Sequence, residues 1–332
     1  MAPQTRQENL WAIVLAGGQG TRLSTITHAL HGRDTPKQFA ALWGGQTLLE
    51  RTLDRTSATV PRQRTVVVVP EDFRALAQEQ LDKYPGVKVV YQPCNRGTGA
   101  GVLLPLAHVL ANDPSAKVVI LPSDHHVDRE TPFRGAIRRA VMATDFASSR
   151  TALVGAAAES ADTDLGWIDC AGNDSPLTVR AWQVNAFVEK PDATTALDLL
   201  RRGALWNTMI IASRGQSLWK MADRHIPEVS WFFRTYRELI GQRGADDFLR
   251  GIYPDLPVTD FCRDILQSAK GLVVTPMIDA GWSDCGTPKR LFRAMETTPE
   301  GTRLLARIRH QCPDLDRVGA GALQEFETRR AN

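Results

Sequence analysis

The sequence predicts an α/β fold of three layers: a doubly wound, mostly parallel mixed sheet covered by helices on both faces. Two observations carry the prediction. Short β-branched runs are dense enough to be buried on both faces, and the segments between them place apolar residues at helical three-to-four spacing. The first strands are expected at WAIVLA (11–16), TVVVV (65–69), VKVVY (87–91) and KVVIL (117–121). Helices are expected at TLLERTLDR (47–55), EDFRALAQEQLDKY (71–84) and GVLLPLAHVLA (101–111), the last weakened or kinked by Pro105. Further strands are read at TALVGAA (151–157), VRAWQVNAFVEK (179–190), LWNTMIIA (205–212) and GLVVTPMI (271–278), with residues 214–269 mostly helical. A Gly- and Asp-rich stretch at 159–176 is the one candidate hinge. It is short, so one continuous unit over residues 1–290 is preferred, followed by a helical extension over 291–332.

The 332 residues suffice for a sizeable core, and 43% hydrophobic with 23% charged residues excludes disorder, collagen and coiled coil. Forty Lys plus Arg against 37 Asp plus Glu give +3, too slight and too dispersed for a nucleic-acid footprint. The five cysteines (Cys94, Cys170, Cys262, Cys285, Cys312) form no CxxC pair, which argues against a disulfide framework or structural zinc and fits a reducing cytoplasm. The start MAPQTRQENLW lacks the layout of a signal peptide, and no apolar run reaches the roughly 18 residues that span a bilayer. A cytoplasmic protein with no membrane or nucleic-acid partner is expected, and homo-oligomerisation stays open.

The strongest chemical signal is LAGGQGTRL (15–23), directly after the first strand. Gly17, Gly18 and Gly20 let the backbone turn sharply and bring N–H groups close to an anion, which a Cβ would obstruct. A dinucleotide GxGxxG would need glycine where Leu23 stands, and a Walker A loop would need GxxxxGK[ST]. The loop instead offers Arg22, a planar charged fork suited to a triphosphate. TPKQF (35–39) follows a polar stretch, residues 24–34, expected to be a loop and lid, and supplies Lys37. LPSDHHV (121–127) ends the fourth strand, where open α/β sheets bind ligands, and makes Asp124 a hard-oxygen candidate for Mg2+. Adjacent His125 and His126 point opposite ways on an extended chain, so they do not read as a metal pair. FVEKP (187–191) sets Glu189 beside Lys190, suiting a ligand with hydroxyls and a phosphate. LWNTM (205–209) supplies Asn207, and GWSDCGTP (281–288) a second acid, Asp284. Taken alone, each of these three is a weak signal that reads as structure sooner than as a site.

Together, in order and spacing, LAGGQGTRL, PKQF, QPCNRGT (92–98), LPSDHHV, FVEKP and GWSD resemble the sugar-1-phosphate nucleotidylyltransferases, and among them the mannose-1-phosphate guanylyltransferases (GDP-mannose pyrophosphorylases). The likeness runs from about residue 11 to 290. It implies a Rossmann-like nucleotidyltransferase fold and transfer of a nucleoside monophosphate from an NTP to a sugar-1-phosphate, with release of pyrophosphate. It also implies that Arg22 meets the β and γ phosphates over the loop of Leu15, Ala16, Gly17, Gly18, Gly20 and Thr21, and that Lys37 neutralises the α phosphate. Asp124 and Asp284 would share the Mg2+, and Lys190 would meet the sugar phosphate. Glu189, Asn207 and the backbone of Gly166 would hold sugar hydroxyls, and Gln92, Asn95, Gly97 and Thr98 would read the base. An ionised phosphate nucleophile needs no general base, so catalysis would rest on alignment and electrostatics.

This chain departs from the pattern in three places. STITHALHGRDT stands where the family has a shorter link beginning Trp-Pro, and Thr208-Met209 stands where it often reads WNSG. Gln92-Pro93 stands where mannose enzymes commonly have Glu-Pro; glutamine both donates and accepts, so it serves guanine, thymine or uracil, with guanine favoured by the PKQF and NRGT context. The residues after Pro288 are too few for the isomerase or β-helix domains that relatives append, so a single transferase activity is expected. A non-catalytic binder on the same fold and a dinucleotide oxidoreductase are the competing classes.

Overall fold

The computed structural model describes residues 9–43, 45–147, 149–170 and 181–311. The strands are β1 (Leu10–Leu15), β2 (Thr65–Pro70), β3 (Lys88–Gln92), β4 (Lys117–Pro122), β5 (His126–Val127), β6 (Thr151–Ala157), β7 (Trp167–Cys170), β8 (Trp182–Val188), β9 (Leu205–Arg214), β10 (Val273–Met277) and β11 (Trp282–Ser283). Nine form one sheet in the order β3-β2-β1-β4-β9-β6-β10-β8-β7, and β5 pairs with β11 in a separate ribbon. Parallel pairs join β3, β2, β1 and β4, and also β6 and β10. Within this sheet the antiparallel pairs all involve β8 or β9, so its other seven strands point one way.

Side-chain alternation fixes the layers. Ile13, Val66, Val68, Val118 and Ile120 enter one core with helices Gly97–Asn112, Gly215–His225 and Pro227–Leu239. Their neighbours Ala12, Val119 and Leu121 pack with helix Glu130–Ala143 on the opposite face, and Val14, Val67 and Val69 with helices Leu48–Ser57 and Arg74–Leu81. Both faces are buried, which is why these strands read as unbroken apolar runs. Helix Leu48–Ser57 starts on a capping box in which Thr47 and Glu50 bond reciprocally. Helix Gly97–Asn112 continues through Pro105.

Two expectations are corrected. Residues 24–34 do not form a polar loop: Ser24–His31 is a helix, with Ile26 and Thr27 buried, and Gly32 ends it in the left-handed region. Leu23 and Ile26 pack with Leu291, Met295, Leu305 and Ile308 from the two helices Pro288–Glu296 and Pro299–Gln311, which accounts for a helix whose own sequence is largely polar. The candidate hinge at 159–176 contains β7, hydrogen-bonded to both β8 and β9, so it belongs to the sheet; its residues 171–176 lie outside the described chain.

One irregularity positions the site. Between β6 and β9 the register jumps from Val154↔Ile210 to Gly155↔Asn207, leaving Thr208 and Met209 as a bulge. Thr208 closes it: its hydroxyl donates to Val154 O (2.6 Å) and accepts from Ile210 N–H (3.2 Å). Thr208→Val would leave a buried carbonyl and a buried N–H without partners, and about 2 kcal/mol of destabilisation is expected in urea unfolding, with Thr208→Ser restoring most of it.

Candidate active site

β1 lies between β2 and β4, where the strand order reverses, and ligands of open α/β sheets bind beyond the carboxyl ends at such a point. The glycine loop leaves β1 there. Its carbonyl side is turned into the protein. Leu15 O accepts from the N–H (3.0 Å) and hydroxyl (2.8 Å) of Ser123, and Gln38 Nε2 donates to Ala16 O (3.2 Å) and Gly18 O (2.8 Å). The N–H groups of Gly17, Gly18 and Gly20 meet no acceptor among the described residues. Gly20 adopts φ +66°, and a Cβ there would stand 2.9 Å from Lys37 N, so glycine is required for the loop to rest on the PKQF segment.

Lys37 is the hub. Its ammonium lies 3.0 Å from Asp124 Oδ2 and donates to Asp284 O at 2.6 Å. Burial opposes ionisation of Asp124, but Lys37 and His125 together outweigh it and hold the carboxyl below its ordinary range. The β5–β11 ribbon brings the second acid across: Ser283 pairs with His126, which places Asp284 beside the Asp124 loop. The Asp284 carboxylate is gripped by Arg290, with Nε 2.8 Å from Oδ1 and Nη2 donating to Oδ2 at 3.1 Å.

The two histidines diverge as expected. His125 Nδ1 accepts from the Trp282 indole N–H (3.2 Å), so the ring proton sits on Nε2, facing Asp124 Oδ1 at 3.6 Å. Burial lowers its pKa, which favours the neutral ring at pH 7. His126 stacks on Trp43, with centroids 4.0 Å apart, and bonds Asp128 (2.6 Å). Both brace the loop.

The remaining predicted residues fall into two groups flanking this centre. Gln92, at the end of β3, bonds Tyr253 OH (2.7 Å) and sets its Oε1 3.2 Å from where a Gly17 Cβ would stand. Asn95 Oδ1 caps Gly97 N–H (2.9 Å), and the Thr98 hydroxyl is spent on Phe261 N–H (2.7 Å), so Asn95 and Thr98 order the backbone of residues 92–98. On the other side Gly166 O accepts from Asn207 N–H (2.8 Å), and a Cβ on Gly166 would lie 2.6 Å from Glu189 Oε2, so these three converge. Asn207 Oδ1 accepts from Met209 N–H (3.0 Å) and its Nδ2 donates to Cys262 Sγ (3.4 Å), which leaves the second amide hydrogen without a protein acceptor among the described residues. Lys190, 3.9 Å from Glu189, and Arg22, paired with Asp164 at 3.3 Å, are the half-exposed cations at the rim.

Four contributors escaped the sequence reading: Gln38, Tyr253, Arg290 and the Asp162–Asp164 turn. Gln38 lay inside a quoted motif. Tyr253 and Asp162 act through partners distant in sequence, Gln92 and Arg290, while Arg290 lies just past the GWSDCGTP motif whose Asp284 it holds.

The carboxylates fit a hard divalent cation. Asp284 Oδ1 is buried with no aligned hydrogen-bond donor, and Asp124 supplies a second charged oxygen beside the cradle. No group of three or more His, Cys, Asp or Glu side chains forms a metal cage among the described residues.

An anion cradle with carboxylates and a lysine at the switch point of a parallel sheet defines a nucleotide-binding α/β protein. The model of the Nucleotidyl transferase family matches residues 11–301, and the chain belongs to that family. It is 28% identical over 295 residues to the Escherichia coli O157:H7 protein named mannose-1-phosphate guanylyltransferase 2, covering 85% of this chain and 59% of that protein. It is 30% identical over 302 residues to the xanthan biosynthesis protein XanB of Xanthomonas campestris pv. campestris, covering 87% of this chain and 60% of that one. The chain thus spans about three-fifths of the length of these curated relatives. A Thermus thermophilus crystal structure, described as a mannose-1-phosphate geranyltransferase, superimposes with TM-score 0.75 at 27% identity over 88% of this chain and 80% of that one. No described helix is long and apolar enough to cross a membrane.

Glu189 gives a pH signature. Burial, reinforced by Asp260, raises its pKa above the ordinary carboxyl value. The native state therefore holds this proton to higher pH than the unfolded chain, and stability falls as pH rises through that window. Glu189→Gln is expected to be more stable than the parent at pH 7, with the difference closing toward pH 4, as read by thermal melts across that range.

Proposed function

We propose that this chain transfers a nucleoside monophosphate from an NTP to a sugar-1-phosphate, with GTP and mannose-1-phosphate the favoured pair, giving a nucleotide-sugar and pyrophosphate. The observation that carries the reading is the convergence of Lys37, Asp124 and Asp284 beside a glycine loop whose carbonyls are held and whose N–H groups are unspent.

The N–H groups of Gly17, Gly18 and Gly20 receive the phosphates of the nucleotide. Arg22 exchanges Asp164 for the β and γ phosphates, and Lys37 lies where negative charge gathers on the α phosphate. When bound between Asp124 and Asp284, Mg2+ supplies further positive charge to the triphosphate. Gln92 faces the base near Gly17. Glu189, Asn207 and the Gly166 backbone hold the sugar hydroxyls, and Lys190 meets the sugar phosphate. The phosphate nucleophile is already ionised, so the chain needs to align two anions and screen their repulsion rather than abstract a proton. The catalytic unit is assigned to residues 1–290; of the extension expected over 291–332, residues 312–332 lie outside the described chain. Cys94, Cys170, Cys262 and Cys285 are all free thiols, which supports a reducing, cytoplasmic setting.

Pyrophosphate release from a panel of four NTPs and several sugar-1-phosphates tests the reading, with GTP and mannose-1-phosphate expected to give the highest rate. Binding without release for every pair would instead assign a non-catalytic binder. Asp124→Asn and Asp284→Asn are each expected to lower turnover by about 100-fold or more in folded protein. Arg22→Lys keeps the charge but loses the fork, and a rise of about tenfold in the KM for the triphosphate is expected in steady-state assays.

A further inference from the structure

Arg290 belongs to the first turn of helix Pro288–Glu296, where its N–H donates to the capping hydroxyl of Thr287 (3.3 Å). Its side chain returns across Gly286. A Cβ at that glycine would lie 2.3 Å from Asp284 Oδ2 and 2.7 Å from Arg290 Nη2, so the contact leaves no room for a side chain. The guanidinium faces two acids at once. Nη2 makes an aligned bond to Asp284 Oδ2, Nε approaches Oδ1 without hydrogen-bond alignment, and Nη1 donates to Asp162 Oδ2. The three side chains are only 16% (Arg290), 13% (Asp284) and 18% (Asp162) exposed.

Asp162 continues the chain of contacts. Its Oδ1 accepts from Asp164 N–H (2.8 Å), and its carbonyl accepts from the Trp167 indole N–H (2.8 Å). These bonds set the turn that leads into Gly166, whose carbonyl anchors Asn207. The phosphate side and the sugar side of the site are therefore joined through one arginine.

We propose that Arg290 is a positioning residue that orients the Asp284 carboxylate for the metal and ties it to the Asp162–Gly166 turn on the sugar side. This rests on Asp284 being a metal ligand in the transferase proposed above. A carboxylate on a free χ2 presents its oxygens in many directions. Held at Oδ2 by an aligned donor, and with Nε 2.8 Å from Oδ1, it keeps one set direction and leaves Oδ1 a buried acceptor without an aligned partner. Lys37 does not do this, because it reaches only the backbone carbonyl of Asp284. A lysine at 290 would not serve either, since a point charge lacks the planar fork that meets two acids together.

The test uses the full chain with Arg290→Met, Arg290→Lys and Asp162→Asn. Mn2+ alone serves as the probe, titrated by water-proton relaxation, alongside steady-state kinetics and thermal melts. Arg290→Met and Arg290→Lys are each expected to weaken Mn2+ binding by about tenfold or more. Asp162→Asn is expected to leave Mn2+ affinity within about threefold. Arg290→Met and Asp162→Asn should both raise the KM for the sugar-1-phosphate by about fivefold while the KM for the NTP stays within about twofold. Parental Mn2+ affinity in a folded Arg290→Met protein, or tighter binding, overturns the proposal; if that variant does not fold, the same result with Arg290→Lys overturns it. An unchanged sugar-phosphate KM in Asp162→Asn overturns the link to the sugar side. The two readings fail separately. Absence of pyrophosphate release from every substrate pair sinks the transferase and leaves the Mn2+ comparison to judge Arg290. Turnover in the parent with unchanged Mn2+ affinity in the residue 290 variants sinks only the role of Arg290.

Discussion

Lys37 places a nearly buried ammonium, its side chain 10% exposed, between the Asp124 carboxylate and the Asp284 carbonyl. A charge in that position is stable only if it is paired and hydrogen-bonded, because desolvation of either ion alone costs several kcal/mol. The loops that surround it are shaped by that requirement. Pro36 and the short helical turn Lys37–Phe39 fix where the ammonium points, and Gly20 must be bare for the glycine loop to lie against this segment. Gln38, next in sequence, bonds the loop carbonyls, so one tripeptide both supplies the cation and fixes the glycine loop. An anionic ligand entering here meets charge already in place, with little reorganisation left to make.

Much of this was legible because the physics was local. Strands buried on both faces must be runs of apolar residues, and Val66 to Val69 or Val118 to Leu121 announce themselves that way. A turn of glycines after a strand is also written in consecutive letters. The β5–β11 ribbon was not readable: each strand has two residues, and Trp282 and Val127 find each other only after the whole sheet is built. Helix Ser24–His31 was misread for a related reason. Its polar composition suits a loop, and the apolar side that makes it a helix is small and faces helices near the carboxyl end of the described chain.

The sugar side shows how a site can depend on a local rule being broken. Met209 has φ +55° in a bulge where the resemblance leads one to look for glycine, a conformation that costs a side-chain-bearing residue about 1–3 kcal/mol. The structure over-determines it. Thr208 ties the bulge to Val154, Asn207 Oδ1 takes the Met209 N–H, and the Met209 sulfur lies 3.5 Å from Cys262 Sγ. The effect is to spend the acceptor of Asn207 internally, with Nδ2 donating to Cys262 Sγ. Sequence spacing could name Asn207 but could not say which of its groups faces a ligand.

The two arginines around the Asp162–Asp164 turn differ in what they can release. Arg22 and Asp164 are half-exposed at 3.3 Å, and a pair so solvated contributes between nothing and about 1 kcal/mol. A pair so weak gives way to a better anionic partner at little cost. Arg290, Asp162 and Asp284 are mostly shielded from water, and removing one member strands the others, so this contact persists while the first exchanges. The turn is therefore anchored at Asp162 and free at Asp164. The free end pairs with Arg22 at the end of the glycine loop, and the anchored end shares Arg290 with Asp284. The division between the part of the site that moves and the part that stays fixed follows from the depth at which each ion pair is buried.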